Sequence, residues 1–124
     1  MNKEFIPYEQ ALALKELGFN ESCFGYHLNN EFQFFANIRS CNTNSEFKFY
    51  PTAPTLSQCF KWFREKYGLY HSIGLDNSLE DDVNCDYQII NHSQSISESE
   101  TDFKTYEEAE LACLKKLIQI VKNN

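Results

Sequence analysis

The strongest hydrophobic pattern lies in residues 55–68, TLSQCFKWFREKYG. At about 100° per residue, Leu56, Cys59, Phe60, Phe63 and Tyr67 fall on one arc, which predicts an amphipathic helix. Its ends are also written in the chain. Thr55 followed by Gln58 is a capping-box pair. Gly68 stands where a left-handed residue closes the last turn. Trp62 lies about 120° from the centre of the arc, one turn from Lys66, so the helix carries an aromatic ring at its margin.

The same periodicity predicts two further helices. Residues 7–17 place Ala11, Leu14 and Leu17 inward, with Pro7 at the start and Gly18 and Phe19 at the stop. The last helix starts at Thr105, capped with Glu108, and runs to about Lys122. Tyr106, Cys113, Leu114, Leu117, Ile120 and Val121 form its apolar arc. Glu110 projects near the middle of that arc, about 20° from Leu117.

Between the helices the period falls to two. Cys23–Leu28 reads as a strand, and Asn29-Asn30 as a two-residue turn. Phe32, Phe34, Ala36 and Ile38 alternate with Gln33, Phe35, Asn37 and Arg39 in a second strand. Phe47 and Phe49 alternate with Glu46, Lys48 and Tyr50 in a third, which Pro51 and Pro54 end. Leu69–Leu75 and Cys85–Ile90 read as the fourth and fifth strands, the latter with Cys85, Tyr87 and Ile89 on one face. Residues 91–104 are polar and read as a mobile loop. The order α-βββ-α-ββ-α predicts one α+β domain over residues 1–124, an antiparallel sheet with helices mainly on one face.

Composition narrows the function classes. The chain has 124 residues, 15% of them aromatic, enough for a packed core without disulfides. Five cysteines at wide spacing, with no CxxC, suit a reduced cytoplasmic protein with buried thiols. The N-terminal stretch has no apolar core and no run of 18 apolar residues occurs, so neither a signal peptide nor a membrane partner is expected.

The net charge is −7 and unevenly spread. Residues 1–75 carry seven acidic and seven basic side chains, whereas residues 76–110 carry eleven acidic ones and only Lys104. Glu80, Asp81, Asp82, Asp86, Glu98, Glu100 and Asp102 form the core of this acidic block. Such a surface repels phosphate backbones and attracts basic partners. Its plainer reading is a solvated surface. The first five elements share the order of a double-stranded RNA-binding domain. The GPxH-type loop and lysine cluster of such domains are missing, so direct nucleic-acid binding is not expected.

Three stretches, FIPYEQALALKELGFNESCFGYH, APTLSQCFKWFREKYGL and TYEEAELACLKKLIQIV, cover about half the chain. They resemble a pattern recurring in short phage and prophage proteins of Bacteroidetes-type bacteria. The resemblance implies a phage accessory protein working in the host cytoplasm, and it brings no activity, cofactor or catalytic residue.

Catalytic patterns are missing from the sequence. It has no HExxH, GxSxG, P-loop or GxGxxG, and its three histidines are widely separated. Asp82, Asn84 and Asp86 match the start of a calcium loop, but Tyr87 and Ser93 break the match, so no metal and no cofactor is expected. The binding candidates are Trp62, Lys66, Phe35 and Tyr50, off the predicted core faces, and Glu110. Trp62 beside Lys66 suits stacking on a ligand, or equally packing at the core margin under the lysine. Glu110 is a pocket carboxylate or a side chain that escapes at a shallow end of its helix. The leading expectation is a non-enzymatic module binding a host or phage protein with a basic surface; self-association stays open. The alternatives are a protein that sequesters a nucleotide or other small molecule, and a small enzyme using Glu110.

Overall fold

The computed structural model describes residues 4–35, 41–47, 50–76, 84–91 and 96–123. The protein is α+β, with three helices and two three-stranded antiparallel sheets among these residues. It divides into two compact units, one of Met1–Cys59 with Val121–Asn124 and one of Phe60–Ile120.

In the first unit, α1 (Tyr8–Glu16) buries Ala11 and Leu14. It stops at Gly18, whose φ is 94°, while the Phe19 amide donates to the Leu14 carbonyl at 2.9 Å. Leu12, which points away from the inner face, is exposed. The sheet has the order β2-β1-β3. β1 (Gly25–Leu28) and β2 (Glu31–Phe34) form a two-residue hairpin in which Asn29 takes a φ of 56°, as the Asn-Asn turn predicts. Residues 36–40, including the expected continuation of the second strand, lie outside the described residues.

The third strand differs from expectation. Glu46 lies in a turn and Tyr50 in a bend, and Lys48 and Phe49 are outside the described residues. The strand that pairs with β1 is β3, Thr52–Ala53, held between the two prolines expected to end pairing. Proline keeps its carbonyl and an extended φ, so it can border an edge strand. Pro51 does so: its carbonyl accepts the His27 amide at 3.0 Å.

The second helix, α2 (Leu56–Tyr67), begins in the first unit and continues in the second. Its capping box is formed as read: the Thr55 amide donates to Gln58 Oε1 at 3.0 Å and the Gln58 amide to Thr55 Oγ1 at 3.1 Å. Gly68 closes it with a φ of 66°.

The second unit carries the sheet β4-β5-β6, a simple meander. β4 is Tyr70–Asp76 and β5 is Asn84–Ile90. Cys85, Tyr87 and Ile89 are buried on one face of β5, as their alternation predicts. β6, Ile96–Phe103, corrects the reading of residues 91–104 as a loop. It was hidden because its side chains are polar. A strand at the edge of a sheet takes its order from backbone bonds to one neighbour and needs no apolar face of its own. Register pairs Ile89 with Glu98, Tyr87 with Glu100 and Cys85 with Phe103, so these share one face. α3 (Tyr106–Lys122) lies against that face, with Lys116 Nζ 3.7 Å from Glu98. It buries Ala109, Cys113, Leu114, Leu117 and Ile118. Tyr106, expected on the apolar arc, is 46% exposed because the arc is uncovered at its first turn.

Candidate functional site

The structure gathers two of the predicted binding residues. Tyr26 projects from β1 on the face opposite His27. The Phe35 amide extends the hairpin by donating to the Phe24 carbonyl at 2.8 Å, which brings the Phe35 ring to 5.0 Å from Tyr26. Phe47 lies 4.8 Å from Tyr26 and 5.1 Å from Phe35, and Tyr50 lies 6.3 Å from both Tyr26 and Phe47. None of the four is buried. The result is a half-open aromatic cluster on one face of a small sheet.

A polar clamp seats this cluster. Asn44, only 7% exposed, donates from Nδ2 to the Phe19 carbonyl at 2.9 Å and accepts the Thr52 amide on Oδ1 at 2.9 Å. Thr43 and Glu46 exchange side-chain bonds across the same turn, at 3.0 and 3.2 Å. The Phe47 amide then donates to the Thr43 carbonyl at 2.9 Å. Tyr26 and Phe47 were not singled out in the sequence. Tyr26 had a signal, its place in an alternating strand. The position of Phe47 depends on the clamp, which joins residues 25 and 8 apart.

The spacing of the rings limits what they can hold. A flat ligand between two rings needs roughly 7–8 Å, twice the carbon contact distance. The measured neighbours here stand at 4.8–6.3 Å between centroids, closer than that spacing. Among the described residues these pairs leave no room for a ligand between their rings, and the cluster presents outer ring faces and edges.

The opposite face of the sheet is packed differently. Phe5, Phe32 and Phe34 meet there at 4.5–5.6 Å, and His27 is 6% exposed beside them. His27 Nε2 lies 2.8 Å from the Ile6 carbonyl, which can only accept, so this nitrogen carries the proton. Its Nδ1 is buried without a hydrogen-bond partner.

Trp62 and Lys66 stay in the second unit, separate in the chain from Phe35 and Tyr50. Trp62 is not the exposed ring that its helical angle allowed. It is 7% exposed, packed edge-on against Phe63 at 5.1 Å and Tyr67 at 5.4 Å. Lys66 Nζ covers it at 5.2 Å and stands 5.7 Å from Tyr67. Helical angle alone does not determine burial, since a wide indole reaches the core from the flank of the stripe.

Of the acidic block, Glu80, Asp81 and Asp82 lie outside the described residues. Asp86 sits within β5, so the calcium-loop resemblance of residues 82–86 falls partly on a strand. A Cβ on Gly74 would meet Asp86 Oδ1 at 2.7 Å, so this carboxylate leans over its neighbour strand. Glu98 pairs with Lys116. Glu100 accepts the Tyr87 hydroxyl at 3.1 Å, and burial together with this carboxylate pushes Tyr87 up to about 12. Asp102 is exposed, with a φ of 73°. Among the described residues no group of three or more His, Cys, Asp or Glu is arranged to hold a metal ion.

Glu110 is neither fully buried nor free in solvent. Partial burial, and next Glu107, raise its carboxyl above the ordinary 4.5. Burial first, and Glu110 second, push the Cys113 thiol up to about 12. A raised carboxyl means that the fold tolerates the protonated form better. Its stabilising contribution is therefore full below the ordinary value and declines as pH rises through the raised one. Glu110→Gln is expected to be slightly more stable than wild type at pH 7, by less than about 1 kcal/mol after solvent screening. The gap should close below about pH 4, near the unfolded value. Urea melts at the two pH values check this, and an NMR titration placing Glu110 at its ordinary value would remove the cause.

No described helix is long and apolar enough to cross a membrane. No protein-family model matches the chain, and no curated protein or solved structure matches it.

Proposed function

We propose that this is a non-enzymatic protein-binding module, a phage accessory protein acting on a host or phage protein in the host cytoplasm. The observation that carries the reading is the cluster of Tyr26, Phe35, Phe47 and Tyr50, four partly exposed rings gathered around Tyr26 and Phe47. Tyrosine and other aromatics supply large contact area at low entropic cost, and they dominate the energetic centres of protein interfaces. The resemblance of three stretches to phage and prophage proteins supports the setting.

Two features weigh against the other readings. A nucleotide needs a slot or an open ring beside a cation, whereas among the described residues the measured ring pairs stand at 4.8–6.3 Å and Trp62 is packed beneath Lys66. A purely electrostatic contact through the acidic block is weakened because Glu98 and Glu100 already serve Lys116 and Tyr87.

The test is affinity capture from host lysate with wild type and with a Tyr26→Ala/Tyr50→Ala double variant of unchanged circular dichroism. A defined protein retained by wild type, insensitive to moderate salt and reduced at least tenfold by the variant, is the expected result. Equal retention by both would move the contact elsewhere. A thermal shift with nucleotides at saturation would favour sequestration of a small molecule instead.

A further inference from the structure

The meander of the second unit has two edges, β4 and β6, and they are built differently. β6 carries the devices that block a further strand. Its register against β5 shifts twice, once between Ile89 and Ile90 and once between Cys85 and Tyr87. In the second shift three residues of β6 span two of β5, and Asp102 there turns to a φ of 73°. Glu98, Glu100 and Asp102 place carboxylates along the same strand. Bulges and charges of this kind protect an edge from pairing.

β4 has none of these. It pairs with β5 through seven consecutive residues, Tyr70 to Asp76, without a shift. It contains no proline and no lysine, and no acid before its last residue. Among the described residues no strand lies on its other side. Tyr70 is 44% exposed, and Leu75 is 62% exposed although it shares the face of buried Cys85. That face therefore continues to the β4 edge with an exposed aliphatic side chain.

We propose that β4 is the edge through which two copies of this chain associate, running antiparallel to each other across a two-fold axis at Ile73. A free strand edge selects an extended backbone as its partner. Self-pairing closes after two copies, because an isologous contact uses the same patch on both. Centred on Ile73, the register sets Leu75 opposite His71 of the partner subunit and Ile73 opposite itself, all on the face that carries the buried Cys85, Tyr87 and Ile89 of β5. His71 is held there by its stack on Phe60, 3.7 Å between centroids. Charge favours this edge over β6: two β6 strands would bring carboxylates against carboxylates, whereas β4 carries no acid from Tyr70 to Leu75. The product is one six-stranded sheet with β6 at both ends. A single added strand is a small contact, below about 1,200 Å², so association in the micromolar range or weaker is expected.

Sedimentation equilibrium of the full chain from about 5 to 500 μM tests the proposal, with micromolar affinity setting the window. The mass should rise from 14.6 kDa toward twice that value. Leu75→Lys and, separately, Ser72→Lys change side chains that are exposed in the single chain, so both should fold with unchanged circular dichroism and stay at the single-chain mass. Amide exchange in β4 should slow with concentration for wild type alone. A wild type of constant single-chain mass overturns the proposal and leaves the edge to a strand of another protein. A dimer that survives both lysine variants overturns it as well.

Discussion

Asn44→Ala is expected to lower stability by about 2–4 kcal/mol and the melting temperature by on the order of 10 °C. Asn44 is one of few buried polar side chains in the first unit, and its amide is used in both directions. Removing it takes one hydrogen bond from the Phe19 carbonyl and leaves the buried Thr52 amide without its Asn44 acceptor. An orphaned buried group costs about 1–3 kcal/mol, more than the net worth of the bond that was lost. The consequence reaches the candidate site. Asn44 is the second residue of the turn that delivers Phe47 to Tyr26. Near-ultraviolet circular dichroism from the tyrosines should therefore fall in the variant even below its melting temperature. If urea melts show a loss under about 0.5 kcal/mol, the range of an ordinary surface change, the clamp does not hold the turn.

Gly25→Ala is expected to cost about 1–3 kcal/mol, the usual range for overpacking. The position needs a glycine for space. A Cβ there would come 2.5 Å from the Phe32 ring and 2.8 Å from the Gln33 carbonyl oxygen. The carbonyl belongs to the paired strand and cannot move without opening the β1–β2 register, in which Gly25 faces Phe34. The ring has little freedom either, with Phe5 at 4.5 Å and Phe34 at 4.8 Å. Phe32→Leu in the same chain removes the nearer clash and should recover part of the loss in a double-mutant cycle. No recovery would place the whole cost on the backbone contact. A variant as stable as wild type would show that the hairpin opens freely at this point.

Much of the local structure was legible. The capping box at Thr55, the Thr105 hydroxyl cap on the Glu108 amide, the glycine stops at Gly18 and Gly68 and the Asn29 turn all form, because each depends on residues within five positions of one another; the Glu108 side chain itself takes the Lys104 amide rather than that of Thr105. Alternation identified the buried face of β5 for the same reason. The failures came where a partner strand or a distant side chain decides. β6 is polar and became a strand through backbone bonds to β5. β3 lies between two prolines and was found only through its pairing with β1.

The candidate site divides along the same line. The sequence could name Phe35 and Tyr50 as aromatics off the core faces, and it could place Trp62 beside Lys66. It could not join Phe35 and Tyr50 through Tyr26 and Phe47, since that needs the hairpin register and the Asn44 clamp together. It also left Trp62 open between two readings, and the structure packs it against Phe63 and Tyr67.

By itself the sequence determined the helices, most of their ends, the α+β class and the inward face of β5, but not that of β2, where Phe34 is 52% exposed, because short-range sterics, capping and periodicity act within a few residues. Tertiary structure alone decided that the strands form two sheets, that β6 exists and which aromatic rings share a surface. Those outcomes rest on hydrogen bonds and contacts between residues far apart in the chain, whose geometry no local pattern encodes.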